Sequence, residues 1–169
     1  MILWVNGAFG SGKSSVADAI HKKICPSFIY DPEQVGYFLW NNFPDEMSRK
    51  GNFQHMEIWR EFNHKILTHI NENYAGLIIV PMTVYIKKYY DEIIGKLTRE
   101  GVFVKHVVLA AAKQTILDRL VRRGDAADSW AARHIDGCLR AFETDISGDK
   151  IATDNRSIDE IVSEIIGQL

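Results

Sequence analysis

Cysteine is scarce in this chain. Cys25 and Cys138 are the only two among 169 residues, far apart and without metal or redox spacing. That excludes a disulfide framework and a cysteine-held zinc, and it fits reduced thiols of a cytosolic protein. Long apolar runs are lacking as well, none approaching the ~20 residues of a membrane span. Charge shows no excess of one sign, with 20 basic and 22 acidic side chains, so there is no broad footprint for nucleic acid. No signal peptide precedes Ile2–Val5, which already reads as a strand. The final stretch, "SIDEIVSEIIGQL", puts Ile158, Ile161, Val162, Ile165 and Leu169 on one side and Asp159, Glu160 and Glu164 on the other. An acidic face is repelled by anionic lipid, so this is a core-packing helix. The expectation is a cytoplasmic protein. Repeats, low-complexity segments and linkers are all missing, and a single domain over 1–169 follows.

What is present starts with "ILWVNGAFGSGKSSVADAI". Gly7 to Ser14 fit G-x-x-x-x-G-K-[ST], the Walker A phosphate-binding loop. Gly7, Gly10 and Gly12 let amide N–H groups crowd round a polyphosphate, with Ala8, Phe9, Ser11 and Ser15 completing the cradle. Lys13 reaches the β/γ-phosphates, and Ser14 offers its hydroxyl to Mg²⁺. The helix that follows points its positive end at the anion. A buried strand before and a helix after supply the context the motif needs. The expected ligand is a nucleoside triphosphate with Mg²⁺, and the loop leaves ATP and GTP both open.

Strand candidates at Ile2–Val5, Ser27–Tyr30, Leu77–Val80, Phe103–Leu109 and Lys150–Thr153 alternate with helical patterns. The helices fall near 13–24, 33–42, 53–73, 86–99, 113–123, 129–144 and 157–167. Short apolar strands separated by helices predict an α/β fold with a parallel sheet covered on both faces. Ligands then gather at the carboxyl ends of the strands.

Asp31 stands at such an end, before Pro32. It can take a proton from an acceptor hydroxyl or bind Mg²⁺ through water. It can at the same time cap the next helix, with Pro32 at the first position and Gln34 as capping partner. Glu33 is the second choice for the functional carboxylate. Arg119, Arg122 and Arg123 share one helix face before a Gly/Asp/Ala loop, and Arg133 lies on the next helix. Phosphoryl transfer needs positive charge brought to the γ-phosphate as water is excluded. These arginines are therefore candidates on a lid at about 119–135. Seven of the eighteen aromatics fall within 37–62. Trp40 and Phe43 lie near a loop, so an acceptor region at about 32–73 with flat or greasy contacts is expected, with Arg60 as an anion or sugar contact.

The P-loop, the acid after strand two, the R-x-x-R-R stripe before a lid and the closing strand-loop-helix together resemble the small P-loop kinases. That group includes adenylate kinase, shikimate kinase and chloramphenicol phosphotransferase. More narrowly, "WVNGAFGSGK", "VPMT", "RLVRRGD", "SWAARHID" and "ATDNRSIDEI" look like the ATP-binding tunicamycin resistance proteins. The resemblance implies a three-layer, nucleoside monophosphate kinase-like P-loop NTPase fold, with a five-stranded parallel sheet in order 2-3-1-4-5 and a helical lid. It implies Arg119 near adenine, Arg122 or Arg123 on the phosphates, and the Thr153–Ser157 loop, with Asn155, closing over the base. It also implies binding of tunicamycin, a nucleoside antibiotic with sugar and lipid parts. One departure stands out: "LIIVPMT" lacks the Walker B acid of many P-loop enzymes. Thr83 can hold a water or the acceptor there but supplies no charge. Two readings follow: a small-molecule kinase, or an ATP-dependent protein that sequesters a drug unmodified. A GTPase switch lacks support, since no N-K-x-D motif appears, and a polynucleotide kinase lacks support from the charge balance.

Overall fold

Alternate residues of the first strand go to opposite cores. The computed structural model describes residues 1–47 and 51–169. In it β1 (Ile2–Gly7) is wholly buried. Ile2 and Trp4 pack on one face with Ile78 and Val80, while Leu3 and Val5 pack on the other with Ile79, Val107 and Leu109. A central parallel strand covered on both sides must be apolar at every position. Burying each of these side chains contributes about 1.5–3 kcal/mol.

The other strands are β2 (Ser27–Ile29), β3 (Leu77–Pro81), β4 (Val104–Ala110) and β5 (Asp149–Ala152). All pair in parallel, in the order β2-β3-β1-β4-β5. This is the expected three-layer P-loop architecture. Helices α1 (Lys13–Lys23) and α8 (Ile158–Ile166) cover one face through Val16, Ala17, Ile20, Ile161, Val162 and Ile165. The other face carries α2 (Glu33–Asn42), α3 (Glu57–Asn73), α4 (Lys87–Glu92) and α5 (Ile94–Arg99), with Trp59, Leu67, Ile94 and Leu97 buried. Next to them lie α6 (Lys113–Arg123) and α7 (Trp130–Thr144), whose Ile116, Leu120, Ile135, Cys138 and Phe142 pack with Val108.

Two expected helices are interrupted. The 53–73 pattern opens with a separate 3₁₀ turn, Phe53–His55, started by Asn52 whose side chain accepts from the Gln54 amide. Met56, in extended conformation, then restarts the chain as α3. The 86–99 pattern bends at Ile93, where φ −109° and ψ −78° divide α4 from α5. Both interruptions keep the apolar stripe in register, which is why periodicity alone reads through them.

The break between α6 and α7 follows from its end signals. Gly124 stops α6 in the left-handed conformation, and Ser129 restarts the chain as α7 by accepting from the Ala132 amide. Among the described residues no helix is long and apolar enough to cross a membrane.

Candidate active site

Near the end of β1 stands Asn6, whose side-chain oxygen accepts from the Gly7 and Val84 amides and so fixes where the loop leaves the sheet. Gly12 then starts α1 at φ 100°, an angle that glycine adopts without strain, and no side chain caps this helix. Its first amides are left free for an anion. Lys13 folds back and donates to the carbonyls of Gly7 (3.2 Å) and Ala8 (3.0 Å). Burial lowers its pKa to about 8, against the opposing pull of nearby Glu33. Ser11 lines the loop, and its buried hydroxyl has no partner among the described residues. An orphaned donor beside uncapped amides suits a phosphate oxygen.

Two cavities meet at this loop. The first, about 510 Å³, runs from Gly10–Val16 to Arg119 and Arg123 of α6, and on to Arg156, Ile158 and Ile161 at the start of α8. Arg119 ties three segments together. It donates to the Ser11 carbonyl (3.3 Å), the Thr153 hydroxyl (3.0 Å) and the Thr153 carbonyl (2.9 Å). Arg156 is held by the Ala152 carbonyl and the Glu164 carboxylate, beside the Ser157–Glu160 capping box that opens α8. Two isoleucines and two guanidinium planes make a flat wall suited to a base ring. Arg123 pairs with Asp125 at 2.7 Å, and that carboxylate raises its pKa.

The second cavity, about 420 Å³, lies on the other side of the loop. Phe9 forms its inner wall and meets Trp130 of α7 edge to face, with ring centroids 4.8 Å apart. Tyr37 and Trp40 of α2 and Phe53 complete an aromatic box, with Trp40 and Phe53 at 5.2 Å. Gly36 makes this possible, since a Cβ there would stand 2.5 Å from the Phe53 ring. Glu33 lines the cavity and accepts from the Tyr37 hydroxyl at 3.4 Å. Burial raises its pKa, the neighbouring Asp31 charge adds to this, and Lys13 and Arg123 oppose it.

Several expected residues thus come together and others do not. Gly10, Ser11, Gly12, Lys13, Ser14, Ser15, Arg119 and Arg123 line the first cavity; Phe9, Glu33 and Trp40 line the second. Gly7 and Ala8 act from beneath, through the carbonyls that hold Lys13. Asp31 stands at the start of α2. One carboxylate oxygen accepts from the Glu33 amide and the other from the Gln34 side chain, both at 3.0 Å, and it lines neither cavity. Arg60 is engaged within the fold. It is 4% exposed, paired with Glu92, stacked on Tyr89 and donating to the Gln54 carbonyl, which makes it an anchor of the 3₁₀ turn. Thr83 is buried and donates to the Gly7 carbonyl at 2.7 Å, bracing the P-loop from just beyond the end of β3. Arg122, Arg133 and Asn155 are exposed and line neither cavity. Arg156, Ile158, Gln54, Met82 and Trp130 line the cavities without having been singled out from the sequence. Of these only Trp130 carried a readable signal, an aromatic placed at the end of the lid loop.

Magnesium fits the first cavity modestly. Ser14 is exposed on it, while Asp31 is engaged elsewhere. Among the described residues no cluster of three or more acidic, histidine or cysteine side chains could hold a metal. One hydroxyl with the phosphate oxygens and water matches how Mg²⁺ is usually held beside a nucleotide.

No family model and no curated protein matches the sequence. Solved structures do. The tunicamycin resistance protein of Deinococcus radiodurans superposes with a TM-score of 0.84 at 25% identity, over 99% of this chain and 94% of that one. A gluconokinase from Sinorhizobium meliloti gives 0.65 at 15% identity, over 98% and 89%. The shikimate kinase of Bacteroides thetaiotaomicron gives 0.64 at 17% identity, over 100% and 99%. The chain has the fold of the small P-loop kinases and is similar, along nearly its whole length, to a tunicamycin resistance protein.

Proposed function

We propose that this protein is an ATP-binding small-molecule phosphotransferase that moves the γ-phosphoryl of Mg·ATP to an acceptor hydroxyl. An antibiotic of the tunicamycin kind is the first acceptor to try, from the similarity to the Deinococcus protein. The carrying observation is that one loop divides two cavities. Its glycine-rich amides and Lys13 face the first, and its Phe9 faces the second, where Glu33 stands. A phosphoryl group held on the loop sits between its donor and an acceptor.

In this reading Arg119 and Ile158 hold the base, and the α1 amides hold the phosphates. Lys13 leaves the Gly7 and Ala8 carbonyls for the β/γ-phosphates. Arg123 leaves Asp125 to stabilise the charge on the transferring group. Glu33, rather than Asp31, takes the proton of the acceptor hydroxyl as its oxygen bonds to Pγ, and the Pγ–O bond to ADP breaks. A carboxyl with a raised pKa is the better base for this step. Magnesium, when bound through Ser14 and the phosphates, supplies charge neutralisation at the β/γ-oxygens. The site of action is the cytoplasm.

A second reading, ATP-dependent sequestration without chemistry, is favoured by one observation: β3, Leu77–Pro81, brings no acid to the loop. Phosphorus NMR with mass spectrometry on protein, Mg·ATP and tunicamycin separates the two, extended to aminoglycosides, nucleosides and chloramphenicol. A phosphoester that disappears with Lys13→Ala establishes the kinase. Tunicamycin bound and recovered unmodified establishes sequestration.

A further inference from the structure

Gln54 lies in the wall of the aromatic cavity and is 2% exposed. Its side-chain nitrogen donates to the Thr83 carbonyl at 2.9 Å. A carbonyl can only accept, so this bond fixes which way the amide faces. The amide oxygen, Oε1, is then left buried with no hydrogen-bond partner among the described residues. The backbone of Gln54 is equally constrained. Its amide donates to Asn52 Oδ1 at 3.0 Å, and its carbonyl accepts from the buried Arg60 guanidinium at 2.7 Å. Thr83 in turn donates to Gly7 at the base of the P-loop. A buried acceptor held at both ends and left unpaired is costly unless a ligand or water completes it.

We propose that Gln54 is the specificity-determining residue of the acceptor cavity. Its Oε1 accepts a hydrogen bond from an N–H or O–H carried by a ring-bearing alcohol whose flat face lies against Trp40 and Phe53. Selectivity follows from the same asymmetry. A site with a desolvated acceptor rejects an analogue that lacks the donor far more strongly than a greasy pocket rejects one methyl group. The chain from Gly7 through Thr83 to Gln54 also puts this reading group in fixed register with the loop that holds the phosphates. This inference rests on the second cavity being the acceptor site.

The test measures binding by titration calorimetry in the presence of Mg²⁺ and a non-hydrolysable ATP analogue. Two matched pairs serve: uridine with 3-methyluridine, and 4-hydroxybenzyl alcohol with 4-methoxybenzyl alcohol. In each pair the second member lacks one donor. The native protein is expected to prefer the donor-bearing member by about tenfold or more. Gln54→Met, similar in length but without the acceptor, is expected to bind both members alike. Gln54→Glu, which retains an oxygen there, is expected to keep a preference. The native protein's own discrimination carries the test should the methionine variant fail to fold. Equal binding of both members by the native protein, or a preference unchanged in Gln54→Met, overturns the role of Gln54 and leaves the acceptor cavity standing. Failure of all four compounds to bind while the nucleotide analogue binds removes the acceptor reading itself.

Discussion

Lys13 shows what a single half-buried charge contributes to this site. Desolvation holds it near a pKa of about 8, and it rests on two carbonyls rather than on a carboxylate. A triphosphate at the loop favours the charged form and raises that pKa. Below about pH 8 the ammonium already exists, so binding takes up no proton through it. Above pH 8 binding must supply one. Triphosphate affinity is therefore expected to fall as pH rises through 8, with net proton uptake approaching one near pH 9. Calorimetry in two buffers of different ionisation enthalpy measures this directly, and zero uptake at pH 9 would sink the account. The two carboxylates divide in the same way. Glu33→Gln should lower turnover by roughly 10²–10⁴-fold, the usual weight of a general base. Asp31→Ala should leave turnover nearly intact and remove a helix-start contact of about 1 kcal/mol, a loss of about 2–4 °C in Tm for a chain of this size. The reverse pattern returns the base to Asp31. The sequence offered both acids two positions apart, and nothing in it says which one the first turn of α2 consumes. That depends on Glu33 facing the cavity while Asp31 accepts from the backbone behind it.

At the level of elements, most of the frame was legible, because a parallel sheet under helices leaves strong periodic patterns and sharp end signals. Gly124, Ser129 and Ser157 mark helix ends in the structure as their residue types would lead one to expect. Less legible was which member of a charged stripe faces the site. Arg122 and Arg123 are adjacent, yet of the two only Arg123 lines the first cavity. Arg123→Ala is thus expected to lower kcat more than ATP affinity, while Arg122→Ala changes both less than about twofold. Equal losses in the two variants would mean that the lid closes with a rotation not apparent from α6 here. The wall of the aromatic cavity depends on an approach between elements that no periodicity encodes. Gly36 of α2 lets Phe53 seat against the helix, and the missing Cβ is the reason. Gly36→Ala should push that ring aside, costing about 1–3 kcal/mol of stability through overpacking. It should weaken acceptor binding severalfold while leaving nucleotide affinity unchanged, as titration of each ligand in turn would show. Gln54 was beyond sequence reading for a related reason. Its partner Thr83 lies 29 positions away, and an unpaired oxygen is a property of the assembled wall.

Across the whole molecule, one buried imidazole joins the sheet, the P-loop and the far end of α7. His106 on β4 is 8% exposed. Its Nδ1 faces the Ser147 carbonyl at 2.8 Å, which can only accept, so Nδ1 carries the proton. Its Nε2 must then accept from the Asn6 amide nitrogen at 3.2 Å. The same Asn6 offers its oxygen to the Gly7 and Val84 amides. Other groups near the ring are Tyr90, with centroids 5.3 Å apart, and Asp149, which is itself paired with Lys105. Burial lowers the His106 pKa, and the Ser147 bond and the Asp149 charge only partly oppose it. A group whose folded pKa lies below its unfolded value binds its proton first in the unfolded chain. Its contribution to stability is therefore complete above about pH 6.5 and is lost as pH falls from there towards the folded value. Protonation also sets an Nε2 proton against the Asn6 amide hydrogens. Turning that amide to relieve the clash strips the acceptor from Gly7, the first residue of the phosphate loop. Melting temperature and nucleotide affinity should thus decline together between about pH 7 and pH 5. In His106→Gln, which cannot titrate, both slopes should flatten relative to the native protein. Parallel slopes in the two proteins would detach the P-loop from this histidine. A flattened melting curve with an unchanged affinity slope would confine His106 to the core.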